Sequence, residues 1–70
     1  KNVFNLFILN LNSNKLQVIK NTTFIGLENL KSLNLANNNI ELIEENSFKD
    51  LKSLQFADLR SNSFYQINYL

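Results

Sequence analysis

The side chains with the most chemistry to offer in this chain are amides. Asn14, Asn38 and Asn62 stand 24 residues apart, and a carboxamide both donates and accepts hydrogen bonds. Placed at a fixed interval, such groups suit one role, the pairing of backbone N–H and C=O groups that a turning chain withdraws from water. Asn21-Thr22-Thr23 offers a second chemistry, as an acceptor triplet for N-linked glycosylation. Asn46-Ser47-Phe48 and Asn62-Ser63-Phe64 lack the hydroxyl at the third position and do not qualify.

Catalytic chemistry finds no support. The chain has no histidine and no cysteine, which removes the usual nucleophile–base pairs and most metal sites. Glu44 and Glu45 adjoin, but no third ligand or base accompanies them. No catalytic, metal-binding or cofactor-binding residue is assigned, and a non-enzyme is expected. The formal net charge is +1, with acids and bases interspersed. No Lys/Arg cluster is present, so no nucleic-acid partner is expected. No apolar run approaches the ~18 residues of a membrane span, so no membrane contact is expected from this segment. The lack of cysteine leaves the redox compartment undefined.

The amides are positioned by a repeating unit. One copy runs Leu6, Leu9, Leu11, Asn14, Leu16, Ile19, Phe24, Leu27; the next runs Leu30, Leu33, Leu35, Asn38, Ile40, Ile43, Phe48, Leu51. A third begins Leu54, Ala57, Leu59, Asn62, Phe64, Ile67 and stops at Leu70. Val3 fits the slot of Leu27 and Leu51. The units are thus 1–5 (the tail of a preceding copy), 6–29, 30–53 and an incomplete 54–70. Apolar residues alternate at spacing two in Leu9/Leu11, Leu33/Leu35 and Ala57/Leu59, a strand signal rather than a helical one. The asparagines around them are poor helix formers. These pairs are predicted to point inward from parallel strands roughly 4.8 Å apart. Leu16, Ile40 and Phe64 then re-enter the core, and Phe24 and Phe48 fill its outer side. Residues 46–51 suit a short helical turn with Asn46 or Ser47 as cap. Glu41, Glu44, Glu45, Lys49 and Lys52 read as a solvated outer face.

The formula LxxLxLxxNxLxxIxxxxFxxLxx resembles the leucine-rich repeat over essentially the whole chain. The 24-residue unit with phenylalanine at the outer slot is similar to the typical extracellular subclass. That subclass includes Toll and Toll-like receptor ectodomains and secreted insect immune proteins. The resemblance implies an α/β-type solenoid, with a short parallel sheet on the concave face and mostly irregular or short helical convex segments. It implies a buried ladder of Asn14, Asn38 and Asn62. It also implies an extracellular, cofactor-free recognition module for a protein or microbial ligand, with dimerisation through flanking repeats. A structural or adhesive spacer and an intracellular scaffold are the alternatives. No polar or disulfide-bearing cap is visible at either end, so an excerpt of a longer array is expected.

If Leu9 and Leu11 face inward, strand alternation turns Ile8, Asn10 and Asn12 outward. Above them come Ser32, Asn34 and Ala36, then Phe56, Asp58 and Arg60, with Lys15, Asn39 and Ser63 at the border. Phe56 is either an interface anchor or a cover for its neighbours. Asp58 and Arg60 share a face and are expected to pair with each other, at roughly 0–1 kcal/mol on a surface. The asparagines outside the ladder have three readings: turn formers, compositional bias, or a polar binding surface. Tyr65 and Tyr69 receive no role.

Overall fold

A computed structural model describes residues 5–65. Val3, Ile67, Tyr69 and Leu70 lie outside the described residues. Five short strands form: β1 (Ile8–Asn10), β2 (Val18–Ile19), β3 (Ser32–Asn34), β4 (Leu42–Ile43) and β5 (Phe56–Asp58). β1, β3 and β5 build one parallel sheet in that order, and β2 and β4 build a second. The register places Ile8 beside Ser32 and Ser32 beside Phe56, with Leu9, Leu33 and Ala57 one position along. A one-residue slip would turn every inward leucine to solvent, which is why the apolar alternation holds this register.

Parallel neighbours require a long crossover, and here each crossover is one turn of a coil. Its backbone bonds repeat one unit on. The Leu11 N–H donates to Asn34 O and the Leu35 N–H to Asp58 O, both at 2.8 Å. The solenoid class expected from the sequence is the one observed.

The outer segment differs from expectation in detail. Among the described residues there is no α-helix. Residues 21–26 and 45–50 are instead successive tight turns. Thr23, Ile25 and Leu27 donate to the carbonyls three residues back, and Ser47, Lys49 and Leu51 do the same one unit later. Ser47 does not cap a helix. Its hydroxyl lies 2.7 Å from Glu44 O and 3.1 Å from Ile19 O of the preceding unit. Asn46 sits at φ 66° and Gly26 at φ 82°, and left-handed residues interrupt helical continuation. The paired β2 and β4, with Val18 beside Leu42 and Ile19 beside Ile43, have no counterpart in the sequence reading. Two residues are too few to display alternation.

The core is Ile19, Phe24, Leu30, Leu33, Leu35, Ile40, Ile43 and Leu51. Each fully buried side chain of this size contributes about 1.5–3 kcal/mol. Phe24 and Phe48 meet at 5.9 Å between ring centroids with a 56° tilt, a geometry aromatic pairs favour. The middle unit is sealed while its neighbours are not. Leu33 and Leu35 are buried, but Leu9, Leu11 and Leu59 are only half-buried and Ala57 is exposed. Ala57 was expected inward. It keeps the register beside Leu33 but lies on β5, which among the described residues has β3 as its one strand partner in the sheet.

Candidate functional site

Two sets of side-chain contacts shape the turns that follow the three-stranded sheet. In the first, Asn38 Nδ2 donates to Leu35 O and Ala36 O in its own unit and to Leu11 O in the preceding one, at 3.0–3.1 Å. Its Oδ1 accepts the Leu16 N–H at 3.2 Å. Asn62 repeats the pattern on Leu59 O, Arg60 O and Leu35 O, and accepts the Ile40 N–H at 3.0 Å. Among the described residues, Asn14 reaches only Leu11 O and Asn12 O. Asn38 is buried, Asn62 half-buried and Asn14 exposed, so burial of the ladder is complete only in the middle unit.

The second set was missed from sequence. Asn10, Asn34 and Asp58 each accept, through Oδ1, the N–H two residues on, from Asn12, Ala36 and Arg60. These side-chain-to-backbone turns end the strands. They also explain why Ala36, expected to face outward, is 2% exposed: alternation stops where the strand stops. The residue before each ladder asparagine then takes the left-handed conformation, at Ser13, Asn37 and Ser61 (φ 62°, 56° and 59°). The recurrence of 10, 34 and 58 in the sequence was the signal for these turns.

The outward side chains fall into columns across the sheet. Ile8, Ser32 and Phe56 form one, with Ile8 69% and Phe56 72% exposed. Asn10, Asn34 and Asp58 form the next. Ser32, Asn34, Phe56, Asp58 and Arg60, with Leu33, Ala57 and Leu59, line an open depression of about 500 Å³. Ile8, Asn10, Asn12, Lys15 and Asn39 are not part of its lining. Asn12 accepts a bond from Asn37 Nδ2 at 3.1 Å. Lys15 and Asn39 are exposed, and the Asn39 N–H donates to Leu16 O.

Asp58 and Arg60 pair with each other: Nε meets Oδ1 and a terminal nitrogen meets Oδ2, both at 3.0 Å. The Arg60 backbone N–H, followed by its guanidinium, holds the Asp58 carboxyl below its ordinary range. On the outer side, Glu44 is not simply solvated. Its carboxylate accepts the Asn21 N–H at 3.0 Å, and Asp50 accepts the Gly26 N–H at 2.9 Å. Among the described residues, Glu41, Glu45, Lys49 and Lys52 do not share that role. Asn21 is exposed at the start of the turn run. No helix among the described residues is long and apolar enough to cross a membrane.

Comparison with curated proteins finds no match. Among solved structures, the chain is similar to the crystal structure of the TLR13–ssRNA13 complex, a Toll-like receptor 13 with single-stranded RNA. The TM-score is 0.87 and the sequence identity 36%. The match covers 91% of this chain and 9% of that one, so this chain corresponds to a small part of the receptor's length. A leucine rich repeat family model matches residues 4–64. With its register, stacked strands and asparagine contacts repeating one unit on, the chain belongs to the leucine-rich repeat family.

Proposed function

We propose that this chain is a non-catalytic recognition segment of an extracellular leucine-rich repeat receptor or secreted immune protein. Its three-stranded face is the docking surface for a protein or microbial ligand. The same reading takes 6–29 and 30–53 as whole units and 54–70 as a partial one. The observation that carries it is the Ile8–Ser32–Phe56 column. Two large apolar side chains stand exposed on either side of a serine, on backbone that parallel pairing already holds. Large apolar groups on ordered backbone lose little freedom when a partner arrives. The Asp58–Arg60 pair offsets its own charge, so the face suits an uncharged or mixed surface more than a strongly ionic one.

The test presents secreted proteins and microbial surface extracts to the immobilised protein. It compares the parent with Ile8→Ser/Phe56→Ser and with Ile25→Ser, an equally exposed position outside both sheets. Removing an aromatic anchor costs about 2 kcal/mol or more, roughly thirty-fold in affinity. Retained species should be lost from the double variant and kept by Ile25→Ser. Retention by all three proteins would remove the face from the binding surface.

A single-stranded nucleic acid is the second reading, favoured by the RNA in the similar receptor complex. Phe56 is an exposed ring on the same face as Arg60, and base stacking on such a ring contributes about 1–3 kcal/mol. Titration with single-stranded RNA oligonucleotides separates the readings. Phe56-dependent binding that weakens steeply with salt supports this one.

A further inference from the structure

We propose that Asn21 carries an N-linked glycan, an inference that rests on the extracellular reading above. Asn21-Thr22-Thr23 is the only acceptor triplet in the sequence. Asn21 and its two threonine neighbours are exposed. The backbone is pinned while the side chain is not. The Asn21 N–H is held by the Glu44 carboxylate of the next unit at 3.0 Å. Its own carboxamide makes no hydrogen bond among the described residues. Asn14, Asn38 and Asn62, by contrast, commit their amides to the backbone. The Thr23 hydroxyl accepts the Lys20 N–H at 2.8 Å, which leaves its own proton uncommitted among the described residues.

The surroundings suit a sugar. Val18 and Ile25, 41% and 65% exposed, flank Asn21 in the chain, and a bulky polar oligosaccharide between them shields such apolar surface from other proteins. The position lies between β2 and the return to β3. The Ile8–Ser32–Phe56 column is therefore left uncovered, and glycan and ligand use separate parts of the coil.

The donor is an oligosaccharide carried on a polyprenyl diphosphate, with transfer performed by a secretory-pathway transferase. Asn21 Nδ2 bonds to the anomeric carbon. The bond from that carbon to the diphosphate oxygen breaks, and the diphosphate leaves with the electron pair. One Nδ2 proton passes to a base, and nothing is oxidised or reduced.

Trypsin cuts after Lys20 and Lys31, so residues 21–31 form one peptide that begins at Asn21. From native protein, that peptide should be recovered as a glycopeptide. Enzymatic release of the sugar from the intact denatured protein, before digestion, should convert Asn21 to Asp. Asn21→Gln should abolish the modification and Thr23→Ser should retain it. A bare native peptide overturns the proposal. The same chain directed into a eukaryotic secretory pathway by an added leader then identifies the fault. A glycan there means the extracellular reading failed, and a bare Asn21 there means the site failed.

Discussion

Asn38 accepts the backbone N–H of Leu16 at 3.2 Å, across 22 residues of chain. Its amide nitrogen meanwhile donates to Leu11 O of that same earlier unit. Each of the two later ladder asparagines therefore serves the unit before it as much as its own: Asn62 does the same for Ile40 and Leu35.

Asn38→Ala should destabilise the protein far more than Asn37→Ala. The first leaves the Leu16 N–H without its partner, at about 1–3 kcal/mol, and takes one of two donors from each of Leu11 O, Leu35 O and Ala36 O, at about 0.5–1.5 kcal/mol each and not fully additive. A total of roughly 3 kcal/mol or more is expected from those losses. The second loses an exposed side-chain contact and places Ala at positive φ, for about 1–2 kcal/mol. Urea denaturation of both variants measures the gap. Equal losses would mean the cross-unit bonds contribute nothing special.

Ser61 tests the left-handed position directly, because its φ is 59° and its side chain is exposed. Ser61→Asn should be neutral or mildly stabilising, since Asn tolerates this region. Ser61→Val should destabilise by about 1–2 kcal/mol. Thermal melting in the reverse order would refute the conformational account.

Phe24 and Phe56 are the same residue type with opposite fates, 2% and 72% exposed. Phe24→Ala should lose about 3–5 kcal/mol, as large core truncations do. Phe56→Ala should stay within about 0.5 kcal/mol. A large loss at Phe56 would show that its ring supports the fold and is not free for a partner.

The Asp58 carboxyl should titrate below its usual 3.8. A depressed folded-state value contributes stability above the unfolded-state value, lost as the pH falls through the folded one. The affected window therefore lies below about 3.8. The backbone N–H of Arg60 is the first cause and survives substitution, so Arg60→Gln should raise the value only part of the way back. Carbon-detected NMR titration reads this. A full return to the ordinary value would assign the whole effect to the guanidinium.

Strands β1, β3 and β5, their parallel order and the phenylalanine pair were legible because each follows from apolar spacing over a full unit. The roles of Asn10, Asn34 and Asp58 were not. Their period was visible, but their position on the strand suggested an outward surface rather than a turn. Ala36 was misplaced for the same reason: alternation was carried past the end of β3. Glu44 reads as a solvent-facing acid, and Asp50 shows no role in the sequence, because their backbone partners lie 23 and 24 residues away, where no local pattern points. For the candidate face, sequence supplied the columns and the pairing of Asp58 with Arg60. The burial of Ala36 and the capture of the Arg60 N–H by Asp58 depend on how the chain turns after each strand, which spacing alone does not encode.

The side-chain hydrogen bonds that cross between units join partners 22–28 residues apart. Every loop that must close is thus nearly the same modest size, and loop entropy grows only slowly with length. Ordering started anywhere can spread rung by rung, and fraying starts from the ends. Lengthening by whole multiples of the unit demands no new kind of bond, which makes growth by duplication the least disruptive change this architecture can undergo.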